Sequence, residues 1–258
     1  MSARLMRAAA LVLAAAMCAG ANDPAAPADK TPAPDVAKDV APEKPAPPPD
    51  LTRVKADLKA KTVTLEGVFC LRRGILDYLA VTTTGHEYEA VLALNAKASL
   101  LHANLLAIGA EAGPTETLLE AIKKNAKPGD KVPEKIGTKL RAVVEWQADG
   151  KTVSIPASGL LTNRTTKKPA EDAPWIFTGS YFAKDPNTDK DVYMGDADQS
   201  LIGVFFQQSA VVNFSKDNGN AYDGTETGHE VNTDIVPKPG TACKLVFSFW
   251  DKPAEPAK

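Results

Sequence analysis

Two kinds of residue are scarce in this chain, and each scarcity removes a class of function. It has three cysteines and three histidines in 258 residues. The thiols are Cys18, Cys70 and Cys243, with no C-x-x-C pair among them. An iron–sulfur cluster needs about four closely spaced thiolates, so none is expected within this chain, and no other cofactor is indicated. An excess of basic charge is also missing. The formal net charge is −2 and no basic stripe is visible, which argues against a nucleic-acid partner. No phosphate loop, dinucleotide fingerprint or G-x-S-x-G elbow occurs. His86-Glu87-Tyr88-Glu89-Ala90 starts like a zinc-protease H-E-x-x-H and lacks its second histidine.

Long apolar runs are missing too, apart from one at the start. Arg4 and Arg7 precede the unbroken run Ala8–Ala16, the order of a secretory signal peptide. That run is too short to span a bilayer, which takes about 20 apolar residues. Ala19-Gly20-Ala21 supplies an A-x-A site, so residues 1–21 are expected to be removed. Cys18 stands where a bacterial lipoprotein carries its lipidated cysteine, although Met17 departs from the usual small residue. Simple cleavage is the preferred reading and lipid attachment at Cys18 the alternative, the sole membrane contact expected. Export to the periplasm or cell envelope follows either way.

Residues 22–50 are mostly Ala and Pro with scattered charges, closing on Pro47-Pro48-Pro49. Such a segment buries too little apolar surface to offset its ordering entropy, and a disordered, semi-extended arm is expected. Residues 252–258 repeat that mixture and read as a disordered tail. One globular domain, residues 51–251, lies between them.

Within the domain, period-two alternation predicts strands at Thr62–Phe69, Leu140–Trp146, Thr152–Ile155, Ile176–Phe182, Asp191–Met194, Leu201–Phe206 and Cys243–Trp250. Asp149-Gly150 between two of them is a hairpin signal. Ser99–Ile108, stopped by Gly109, and Glu116–Ala126, acidic early and basic late, read as two short-to-medium helices. The expected fold class is therefore α+β, a mainly antiparallel sheet with two helices.

Three groups of residues carry a family resemblance. They are Gly67-Val68-Phe69-Cys70-Leu71-Arg72-Arg73-Gly74-Ile75-Leu76-Asp77-Tyr78-Leu79-Ala80-Val81, then Glu87-Tyr88-Glu89-Ala90-Val91-Leu92 with His102-Ala103 and Gly109-Ala110, and Trp175-Ile176-Phe177-Thr178-Gly179-Ser180 with Asn232-Thr233-Asp234 and Pro239-Gly240-Thr241. Over roughly residues 60–250 the chain resembles the YdjY-domain family of bacterial envelope proteins. The resemblance implies no particular reaction, because the family is functionally uncharacterised. Some members carry an iron–sulfur association, which two mature cysteines cannot support. Relatives tend to have His where this chain has Tyr88, so a site depending on that imidazole is altered here.

The candidate binding residues are Cys70, Arg72, His86, Glu89 and His102. Strand parity puts Cys70 on the face of Thr62, Thr64 and Glu66, beside Arg72 and Arg73, whose charges would favour a thiolate if it were exposed. Its functional readings are a redox thiol, a metal ligand or a nucleophile. The preferred readings are a buried thiol or a disulfide with Cys243, since exported chains meet an oxidising compartment. Parity places Cys243 on an apolar face, against a disulfide. His86 and His102 could add zinc or copper ligands, the metal itself being unspecified. His102, one turn from Leu105 and Leu106, reads more simply as a packed histidine. Asp185–Asp191 with Asp196 resembles a calcium loop, but Lys190 occupies its glycine position, so a polar hairpin turn is preferred. Trp146, Trp175 and Trp250 read as packing residues.

With no complete catalytic constellation, the leading expectation is a noncatalytic binding or accessory module in the envelope. Its partner would be an envelope protein or a redox complex. The alternative is a redox-active or metal-binding protein using Cys70 with His86 or His102.

Overall fold

The computed structural model describes residues 50–113, 137–216, 218–222 and 226–250. All of them fall within one compact unit, Pro47–Lys258. The expected signal peptide with Cys18, the expected Ala/Pro arm, the expected helix at Glu116–Ala126 and the expected tail lie outside the described residues.

The domain is mostly β and is built on a closed eight-stranded barrel, which overturns the expected α+β class. In chain order the barrel strands are β1 (Thr62–Phe69), β2 (Tyr78–Thr82), β3 (Ala90–Leu94), β4 (Lys139–Ala148), β5 (Trp175–Phe177), β6 (Ser200–Gly203), β7 (Val212–Phe214) and β8 (Ala242–Phe249). Around the ring they run β1-β8-β4-β5-β7-β6-β2-β3, and β3 pairs back onto β1. Six neighbouring pairs are antiparallel. The β6–β7 and β2–β3 pairs are parallel.

The reason for the wrong class lies in β2 and β3. Every residue of both is buried, so neither shows the alternation that marks a half-exposed antiparallel strand. Solid apolar runs are the mark of parallel strands covered on both faces. Val212–Phe214 is hidden in the same way. The expected strand Ile176–Phe182 is broken because Gly179 and Ser180 both take positive φ.

Where alternation is clean, sequence and structure agree. β1 sends Val63, Leu65, Gly67 and Phe69 inward and Thr62, Thr64, Glu66 and Val68 outward. β4 contributes Leu140, Ala142, Val144 and Trp146, and β8 contributes Cys243, Leu245 and Phe247. Trp175, Phe177 and Phe214 complete a filled interior. Side chains fill the lumen of barrels of this size. At the β4 hairpin, Asp149 and Gly150 both have positive φ, as a two-residue type I′ turn requires.

Helix α1 (Ala98–Ala107) buries Ala98, Leu101 and Leu105. Lys97 gives it no side-chain cap, so the one-turn helix α2 (Met194–Ala197) does so: Asp196 Oδ1 accepts the Ser99 N–H at 2.9 Å. Gly109 at φ 91° ends α1, with Ala110 N–H returning to Leu105 O at 3.1 Å. The strand directions set α1 and α2 at one rim of the barrel. The other rim carries Cys70, the start of β2 and a small sheet of Ile75–Leu76, His229–Val231, Leu161–Asn163 and Lys168–Pro169.

Candidate functional site

The structure brings Cys70, His86 and Glu89 to one place and leaves His102 elsewhere. The first three border Tyr78, which with Val81 and Ala90 forms a small apolar cluster separate from the barrel core. Cys70 is half-buried against that cluster, and its S–H donates to Ala90 O at 3.1 Å. His86 lies edge-on to Tyr78, with ring centres 6.4 Å apart, and 5.7 Å from the Tyr88 ring. The backbone holds the group together, since Asp77 N–H donates to Glu89 O and Cys70 N–H to Val91 O.

Acidic charge dominates this wall. The Tyr78 phenol is pushed up to about 12 by burial and then by Asp77, Asp198 and Glu89. Glu89 raises the Tyr88 phenol, and the Tyr222 phenol is raised by burial, then by Glu89 and Asp77. Tyr88 is 68% exposed and Tyr222 50%. Among the described residues no Lys or Arg is ion-paired to Glu87, Glu89 or Asp198.

Activation of Cys70 by Arg72 and Arg73 was conditional on an exposed thiol, and Cys70 is half-buried. Both arginines are exposed, and neither is among the charges acting on the thiol. Burial, followed by the carboxylate of Glu87, pushes the Cys70 thiol up to about 12. Cys243 is buried in the barrel and also rises to about 12, through burial and then the neighbouring Cys70. Both thiols are free in the structure. Alkylation of Cys70 by iodoacetamide should therefore remain slow at pH 7.5 and still be rising above about pH 10, where an ordinary thiol has levelled off. A plateau near pH 8.5 would restore the activated-thiol reading.

His102 belongs to the opposite rim. Its ring packs edge-on against Phe177 at 5.0 Å, and Nδ1 lies 2.8 Å from Gly179 O and 2.9 Å from the Tyr193 hydroxyl. Tyr193 also donates to Gly179 O, at 2.8 Å. This group latches α1 to the end of β5 and to the hairpin of Phe182–Lys184 and Asp191–Tyr193. Burial lowers the His102 pKa while the bond to Gly179 opposes it. The ring is packed and hydrogen-bonded in place at this rim. Asp185–Asp191 is the turn of that hairpin, with Asp185 Oδ1 accepting from Asn187 N–H at 2.8 Å. Among the described residues, no three His, Cys, Asp or Glu side chains are grouped as a metal site requires.

A second feature escaped the sequence reading. A cleft of about 570 Å³ opens on the outer wall over β1, β8 and β4, lined by Arg53, Glu66, Glu145, Trp146, Cys243 and Lys244 among others. The outward parity of Glu66, Glu145 and Lys244 was legible, but their alignment depends on strand register across distant segments.

The eight-stranded ring with a filled lumen defines this protein as a small closed β-barrel domain. Residues 54–248 match the YdjY domain, and the chain belongs to that family. No curated protein and no solved structure is significantly similar to it.

Proposed function

We propose that the chain is an exported envelope protein whose barrel is a noncatalytic accessory module, docking a basic segment of an envelope partner on the wall around Tyr78. The observation that carries the reading is the combination of exposed Tyr88 and Tyr222 with Glu87, Glu89 and Asp198, which no Lys or Arg neutralises among the described residues. Tyrosines with one apolar and one polar end are enriched at interfaces, and their faces attract cations. Export rests on Arg4, Arg7, the run Ala8–Ala16 and the A-x-A site, with Cys18 as the residue that would anchor the chain to a membrane. The thiol of Cys70, held protonated, supports a structural place within the patch.

Titration calorimetry of the mature chain with deca-lysine tests the docking surface. Binding is expected, weakening steeply between about 50 and 300 mM salt as exposed charge is screened. A Tyr88→Ala, Glu89→Gln double variant should lose about tenfold in affinity, roughly 1.4 kcal/mol. Unchanged affinity in that variant, or no binding at low salt, would remove the reading.

A further inference from the structure

The cleft on the other side of the barrel has a different chemistry. In the strand register Glu66 on β1 faces Lys244 on β8, Lys244 faces Glu145 on β4, and Glu145 faces Ser154 on the adjoining strand Lys151–Pro156. All point outward, since their neighbours Leu65, Leu245 and Val144 are fully buried in the core. A row of charges −, +, − thus crosses three strands at intervals of about 5 Å. Directly opposed acidic and basic side chains would ordinarily close on each other. Lys244 forms no ion pair with any described residue. Among the described residues Glu66 is ion-paired only to Arg53, at 3.8 Å, and Glu145 takes a long bond from the Ser154 hydroxyl at 3.4 Å.

Arg53 extends the row by another positive charge, and Asn95, Gln147 and Thr152 add neutral donors and acceptors at the margins. A second hollow of about 280 Å³ shares Arg53 and Glu66 with the first and continues along Thr52, Lys55 and Thr64. The result is an elongated trough. Its volume lies within the usual range for ligand sites.

The lining selects among ligand classes. A polyanion would meet Glu66 and Glu145 on either side of Lys244. A glycan would find no aromatic platform, because Trp146 is 6% exposed and is held edge-on to Phe69 with ring centres 5.4 Å apart. A lipid chain could cover Val68 and Ala242 but would leave the charges of Glu66, Glu145 and Lys244 without partners. A short peptide carrying both an ammonium and a carboxylate meets the row in alternating register, with its amides against Asn95 and Gln147.

We infer that this trough is a binding site for short zwitterionic peptides, with Lys244 receiving the carboxylate and one of the two flanking carboxylates, Glu66 or Glu145, the ammonium. It is independent of the docking wall, since β8 at its centre and β2 at the centre of that wall lie on different sides of the ring.

Calorimetry of the mature chain with tri-alanine, its N-acetyl form and its amide form provides the test. Free tri-alanine should bind, and blocking either end should weaken it about tenfold, as expected for a charge-assisted hydrogen bond. Lys244→Gln should weaken the free and acetylated peptides about tenfold and leave the amide unchanged. A Glu66→Gln, Glu145→Gln double variant should weaken the free and amidated peptides and spare the acetylated one. No heat with free tri-alanine, equal affinity for all three forms, or indifference to both variants would overturn the assignment. Deca-lysine binding unchanged by Lys244→Gln would keep this result separate from the docking wall.

Discussion

Replacing Gly67 with valine should destabilise the domain by about 3 kcal/mol or prevent it from folding, the upper part of the range for overpacking. Gly67 lies where β3 closes the barrel onto β1, paired with Leu94. A Cβ there would press on the Ala93 carbonyl oxygen and stand 2.7 Å from Leu94 Cα and 2.8 Å from Leu94 Cδ2. Two of those atoms are backbone, so no rotamer change relieves the contact. Opening the seam would instead cost the hydrogen bonds between β1 and β3. Gly159→Ala is the control. Its Cβ would meet only Ile155 Cδ1, at 3.4 Å, and its backbone needs no positive φ. Urea unfolding should show a large fall in midpoint for Gly67→Val and a change within about 0.5 kcal/mol for Gly159→Ala. A Gly67→Val midpoint close to that of the parent would mean that the closing seam carries little of the barrel's stability.

How much of this was readable beforehand depends on which side of a strand faces water. Thr62–Phe69 and the strand around Cys243 alternate because one face packs on the core and the other is solvated, so their parity was visible. Tyr78–Thr82 and Ala90–Leu94 are covered on both faces, by the core within and by the wall cluster of Tyr78, Val81 and Ala90 with its loop without. Their sequences carry no period to read, and without them the sheet could not be seen to close. The site was partly legible in the same sense. Cys70, His86 and Glu89 are close in sequence and meet around Tyr78. Tyr222, Asp198 and the Glu66–Lys244–Glu145 row come from segments joined only by the barrel's closure. Whether Arg72 and Arg73 act on Cys70 was not legible, because sequence proximity does not set which way a side chain faces.

Acid should weaken the domain by about 3 kcal/mol through one residue, His229, as pH falls from about 6.5 toward 4. This histidine is 1% exposed, packs against Phe214 with ring centres 5.7 Å apart, and has a buried Nδ1 without a hydrogen-bond partner. Burial alone lowers its pKa from 6.5 to about 4. The folded state therefore holds the ring neutral where the unfolded chain would bind a proton. The stabilisation is fully present above pH 6.5 and is lost progressively as pH falls through the folded value. His102, whose pKa is also lowered, acts in the same direction. Measured by urea unfolding, the difference between pH 7.5 and 4.0 should shrink sharply in His229→Leu, whatever that variant's stability at neutral pH. An undiminished difference would assign the acid sensitivity to other groups.

The meeting of β1 with β8 sets the order in which the barrel can close. The first barrel strand pairs with the last, from Val63 opposite Phe247 to Val68 opposite Ala242. An emerging chain therefore lacks one flank of β1 until nearly all of the domain has been made. Contacts of such long sequence separation form slowly. Ring closure therefore waits for the last strand, and the seam between β1 and β8 is the step that completes the barrel.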